Sequence, residues 1–130
     1  MNKITVFHGN KEQLNALKEI LSGKIKHIDY TELDFHNVSA EDRIKFSGES
    51  RIIINTFARF TVRTIAGVKG GKMNGVTAFV DGFISHIDEA YVEAAVEYIT
   101  ALADVCDVFY FAHHECDRLG SLNPTIFEIN

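Results

Sequence analysis

Two arginines four residues apart, Arg59 and Arg63, carry the clearest chemistry in this chain. Side chains at i and i+4 share one face of a helix. Two guanidinium groups one turn apart suit a phosphorylated or otherwise anionic small molecule, through charge-assisted and bidentate contacts. The apolar run Ile52-Ile53-Ile54 stops at Asn55-Thr56 just before them, so the pair is expected at the mouth of a buried strand. The competing reading makes both arginines solvated charges paired with some of the 18 acidic residues. Phe57 and Phe60 flank Arg59, and Phe83 follows Asp81-Gly82. An exposed ring beside an arginine would hold a nucleobase by stacking, although most of the ten phenylalanines must fill the core.

Other chemistries have weaker signals. His113-His114-Glu115-Cys116-Asp117 is rich in ligand types, with His86 and Asp88 adding more. Adjacent residues rarely aim at one ion, and no CxxC or HExxH spacing occurs, so no metal and no cofactor are expected. Ser85 and Cys116 are the only candidate nucleophiles near histidines, and neither lies in a nucleophile elbow. Asp81, His86 and His113 need no motif to act as general acids or bases, which keeps a small nucleotide hydrolase or phosphodiesterase as the alternative. Phe7-His8-Gly9-Asn10-Lys11 stands where a P-loop would, without its glycines or its Lys-Ser/Thr pair, and no GxGxxG is present. The chain is expected not to be an enzyme.

Composition bounds the partners. The 130 residues suffice for one domain, 1–130, and 46% of them are hydrophobic, as in a folded protein. A net charge of -5 argues against binding DNA or RNA duplexes, which needs a basic face. No apolar run reaches about 18 residues, so no membrane span is expected. The N-terminus lacks the apolar stretch of a signal peptide, and two cysteines make no disulfide framework, so the expected location is the cytoplasm.

The elements that must position these residues follow from periodicity. Lys3–His8 reads as a strand. Asn10 and Gln13 form a capping box for a helix with Leu14, Leu17 and Leu21 on one face, and Gly23 ends it. Lys24–Tyr30 reads as a second strand, and Thr31–Ser50 as a long connection with a short helix near Ala40–Arg43. Arg51–Asn55 reads as a strand apolar on both faces, and Thr56 as the cap of a helix running to about Val68. A glycine-rich connector, Gly67–Lys72, precedes a strand at Val76–Val80. A helix follows from about Ile87 to Ala103, then a strand at Val105–Phe111, a polar loop at His113–Asn123 and a last strand at Thr125–Ile129. The order predicts an α/β fold: a mostly parallel central sheet with helices on both faces, its C-terminal edge strand antiparallel because no helix precedes it. Ligands in such sheets collect beyond the carboxyl ends of the strands. That rim would gather His8, Asn10, Asn55, Arg59, Asp81, Ser85, His86 and His113.

The segments INTFARFTVRTIAGVKGGK (Ile54–Lys72), FVDGFISHIDE (Phe79–Glu89), YFAHHE (Tyr110–Glu115) and SLNPTIF (Ser121–Phe127) resemble a family of small phage anti-defence proteins. These are the anti-Thoeris sponges known as Thoeris anti-defence protein one. The resemblance covers somewhat under half the chain. It implies a homo-oligomer, dimer or hexamer, working in the host bacterial cytosol during infection. Such a protein would bind cyclic ADP-ribose isomers at subunit interfaces and hold them uncleaved, so that the downstream effector stays silent. Cyclic trinucleotides would occupy a second kind of site. Placed on this sequence, the phosphate-gripping arginines would be Arg59, Arg63 and Arg118. The aromatic platform would be Phe57, Phe60 or Phe83. Asn55, Asp81, His113 and Asn123 would meet ribose and base. A third reading makes the chain a protein–protein adaptor with Thr31–Ser50 as its contact loop.

Overall fold

In the computed structural model, the described residues are 3–30, 49–81, 84, 87, 89–112 and 116–129. The elements are β1 (Ile4–His8), α1 (Lys11–Ser22), β2 (His27–Asp29), α2 (Glu49–Lys69), β3 (Thr77–Asp81), α3 (Glu89–Ala103), β4 (Asp107–Ala112), a 3-10 segment (Cys116–Leu122) and β5 (Thr125–Glu128). The five strands form one parallel sheet in the order β2-β3-β4-β1-β5. The expected α/β architecture is therefore present.

Strand alternation assigns the two faces. Val6, Ala78, Val80, Val108 and Tyr110 point to one side, where α2 and α3 supply Ile53, Phe57, Phe60, Ala95, Ile99 and Leu102 to the larger core. Phe79 and Phe111 point to the other, with Phe7 and Phe109 beside them. There α1 supplies Leu14, Leu17 and Leu21. Helix α1 starts as foreseen: the Asn10 side chain accepts from the Gln13 amide and the Gln13 side chain accepts from the Asn10 amide. This reciprocal cap satisfies two donors that the first turn would otherwise leave unpaired.

Two sequence expectations are overturned. Arg51–Asn55 is the beginning of α2, not a strand, and Thr56 is a buried helix-interior residue, not a cap. Isoleucines favour strands, but Ser50, Ile53, Ile54, Phe57, Phe60, Thr61 and Thr64 are buried at intervals of three and four. That period is helical, and burial of the stripe outweighs the β-branched preference. Thr61 and Thr64 donate their buried hydroxyls to the carbonyls of Phe57 and Phe60, at 2.9 and 2.8 Å, so the helix interior carries them without an unmet polar group. The second correction concerns β5, which runs parallel to β1. The 3-10 segment before it packs against the α3 side through Leu119 and Leu122, long enough to return the chain to the starting edge of the sheet.

Strand β2 spans His27–Asp29 within the expected Lys24–Tyr30. Between Val68 and Val76, Gly71 and Gly75 have φ of +79° and +75°, a conformation that glycine adopts without strain. The short helix expected near Ala40–Arg43, and the rest of its connection up to residue 48, lie outside the described residues.

Candidate functional site

On α2 the side opposite the core is formed by Arg51, Asn55, Arg59, Val62, Arg63 and Ala66, all exposed. Asn55, Arg59 and Arg63 follow one another at four-residue steps, so the sequence-predicted pair does share a helix face. Ala58, Arg59, Val62 and Arg63 line a cavity of about 380 Å³. The depression is shallow and open to solvent, and the surface it exposes is almost wholly apolar, so the stems of the two arginines line it. Val62 is 64% exposed, an unusual position for a large aliphatic residue flanked by two arginines. The exposed charges of α2 beyond its first residue are Arg51, Arg59, Arg63 and Lys69, whereas neighbouring α3 exposes Glu89, Glu93 and Glu97. The cavity thus opens on a cationic strip within an acidic protein.

Phe57 and Phe60 take no part in it. Both have no solvent exposure and pack against Tyr30, with ring centroids 5.0 and 5.6 Å away. Their expected role as a stacking platform is corrected: Phe57 stands two residues before Arg59 and Phe60 one after it, which turns both rings to the buried side of the helix while Arg59 faces outward. Phe83 and His113, and with them His86, lie outside the described residues.

The carboxyl ends of the strands hold a different set. Asp29 ends β2 and Asp81 ends β3, and both reach Lys18 of α1, at 2.9 and 3.5 Å. Lys18 is 18% exposed at its side chain and Asp29 only 6%. The lysine ammonium also lies 5.9 Å from the centre of the Phe111 ring. A lysine this buried is retained because two carboxylates compensate its desolvation. It fixes α1 over the ends of β2 and β3. Sequence reasoning missed Lys18 and Asp29. The available signal was position: Lys18 falls inside the Leu14, Leu17, Leu21 stripe, where a surface lysine has no place.

Arg118 is committed elsewhere. Its guanidinium donates to the carbonyls of Ile84 and Ile87, at 3.0 and 2.9 Å, and meets the Glu89 carboxylate at 3.3 Å. It clamps the turn between β3 and α3, which corrects its expected role as a phosphate ligand. Asn123 is exposed at φ +50°, donating its amide to the Gly120 carbonyl where the 3-10 segment ends. Of the expected ligand residues, the structure therefore brings together Asn55, Arg59 and Arg63, and places Asp81, Arg118 and Asn123 apart from them. At the end of β1, His8 Nδ1 lies 2.7 Å from Glu128 of β5. Burial pushes the Cys106 thiol above its ordinary value, opposed by a backbone hydrogen bond at Ala78 and reinforced by Asp107. Among the described residues no group of three or more His, Cys, Asp or Glu side chains could hold a metal ion, and no helix is long and apolar enough to cross a membrane.

Comparison of the chain with protein-family models, with curated proteins and with solved structures found no match.

Proposed function

We propose that this protein binds a small anionic nucleotide-type signal of the cyclic ADP-ribose class and holds it without cleaving it. A phage anti-defence sponge of this kind keeps the signal from its effector in the bacterial cytosol. The observation that supports this reading is the shared cavity of Arg59 and Arg63 on the cationic strip of α2. Two guanidinium groups at the edge of the depression would reach phosphate oxygens, while Ala58, Val62 and the arginine stems offer apolar contact to the rest of the ligand. With Phe57 and Phe60 buried, recognition on this strip leans on phosphate more than on stacking. By the resemblance, the site would lie between the subunits of a homo-oligomer. Cyclic trinucleotides carry the same phosphate chemistry and are natural competitors.

The test is to incubate the protein with a cyclic ADP-ribose isomer, remove unbound ligand, denature the protein by heat and analyse the supernatant. Recovery of intact ligand, lost in an Arg59→Ala/Arg63→Ala double variant, supports the sponge. Fragments would favour the hydrolase built on Asp81, His86 and His113. No retention at all would remove the proposal.

A further inference from the structure

We propose that the outer edge of β5 is a self-association surface, on which a second copy of this chain pairs its own β5 antiparallel to form one continuous ten-stranded sheet. The inference is independent of the ligand reading, since β5 is the sheet edge opposite β2 and the Arg59–Arg63 strip lies on the helix between β2 and β3 in the chain.

Strand β5 hydrogen-bonds to β1 on one side and is the last strand of the sheet among the described residues. All four of its residues are exposed. Two of them are large and apolar: Ile126 is 45% exposed and Phe127 51%, one on each face of the sheet. Edges that must stay single are usually protected by brevity, by charged side chains, lysine above all, by proline or by a bulge. Strand β5 is short, ends on Glu128 and follows Pro124, but it has no lysine and no bulge, and its register with β1 is unbroken from Thr5↔Thr125 to His8↔Glu128.

Backbone direction selects the partner and the register. The Ile129 amide donates to the His8 carbonyl at 2.8 Å, so the odd-numbered residues direct their polar groups to β1. The amides and carbonyls of Ile126 and Glu128 therefore face outward. Three antiparallel registers could use them with an identical strand. Pairing Ile126 with Ile126 sets Glu128 opposite Pro124, which has no amide hydrogen. Pairing Glu128 with Glu128 opposes two like charges. The third pairs Ile126 with Glu128 twice, satisfies every outward group with four hydrogen bonds, and keeps the carboxylates apart. It also sets Phe127 against Phe127 at the close, non-hydrogen-bonded position.

The same register extends a feature already running across the sheet. Every strand gives at least one ring to the α1 face, and one row runs across the sheet through His27, Phe79, Phe109, Phe7 and Phe127. Neighbouring centroids are separated by 4.5, 5.6, 5.3 and 5.8 Å. The row ends on the exposed Phe127, and a second copy continues it.

The experiment is sedimentation of the full chain over a range of concentrations, together with oxidative cross-linking. The wild type should double its mass as concentration rises. Ile126→Lys and Phe127→Glu should each raise the midpoint at least about tenfold while leaving the circular dichroism unchanged. Phe127→Cys should cross-link to a dimer, and Ile126→Cys should not, with the wild type as control for Cys106 and Cys116. A wild type that stays monomeric at millimolar concentration overturns the proposal. So does a dimer that survives both edge variants without a Phe127→Cys cross-link. If an edge variant fails to fold, the cross-linking pair alone decides.

Discussion

At the level of single residues, Arg59, Phe57 and Lys18 carry charge or bulk into three different settings. Arg59 and Arg63 stand on the exposed face of α2, so their removal should weaken binding more than folding. Arg59→Ala or Arg63→Ala is expected to cost about 1.5–3 kcal/mol of affinity for a cyclic ADP-ribose isomer, read by calorimetric titration, with little change in melting temperature. Phe57 and Phe60 are expected to behave in the opposite way. Phe57→Ala should lower unfolding free energy by about 3–5 kcal/mol in a urea titration, because it empties a site with no solvent exposure. A large loss of affinity without loss of stability would contradict that assignment. Lys18 is the third case. Lys18→Met keeps the apolar stem but takes the ammonium from between Asp29 and Asp81. Breaking a buried pair costs about 3–5 kcal/mol, and partial exposure of Lys18 places the expected loss at the lower end. Asp29→Asn should destabilise more than Asp81→Asn, since Asp29 is the deeper carboxylate.

Among the elements, α2 shows how a local signal misleads. Three consecutive isoleucines name a strand by preference, and only the wider window from Ser50 to Thr64 reveals the helical interval. Moving that segment from sheet to helix also moved Asn55, Arg59 and Arg63 from the rim to an outer helix face. The spacing of Arg59 and Arg63, read as helical from the start, survived the change; the placing of Asn55 at a strand end and of Arg59 on the rim did not. Helix α1 was legible because its cap and its leucine stripe agree. Asn10→Ala should cost about 1 kcal/mol by removing the side-chain acceptor of the Gln13 amide, measurable as a lower urea midpoint at constant m-value. Gly75→Ala should cost about 1–2 kcal/mol, since a Cβ meets no atom there but the backbone stays left-handed. The 3-10 segment was not foreseen: polar residues from Asp117 to Ser121 gave no amphipathic interval, and its one deep anchor, Leu119, is a single residue.

For the whole molecule, the alternation of strands and helices was enough to give the α/β class, because parallel pairing requires long crossovers. Strand order was not legible: it depends on which edge each crossover reaches, and short apolar runs do not encode that. The uneven cover of the sheet follows from this order. Among the described residues, helix α1 covers one face, and α2 and α3 share the other. Burial at the foot of α3 also sets a pH response. The Cys106 thiol has a higher pKa folded than unfolded, so its protonated form contributes stability below the unfolded value. That contribution is lost as pH rises through the folded value. Above the ordinary thiol range, about pH 8.5, the wild type should lose stability more steeply with rising pH than Cys106→Ala in parallel urea titrations. The position of β1 has a kinetic consequence as well. It is the first of the five strands along the chain, yet both its neighbours, β4 and β5, are the last two. Until residue 112 has been made, β1 has no strand to pair with, and the ring of Phe7 waits for partners a hundred positions away. Assembly of the sheet centre is thus a late, long-range closure, and refolding should be slow for a chain of this length.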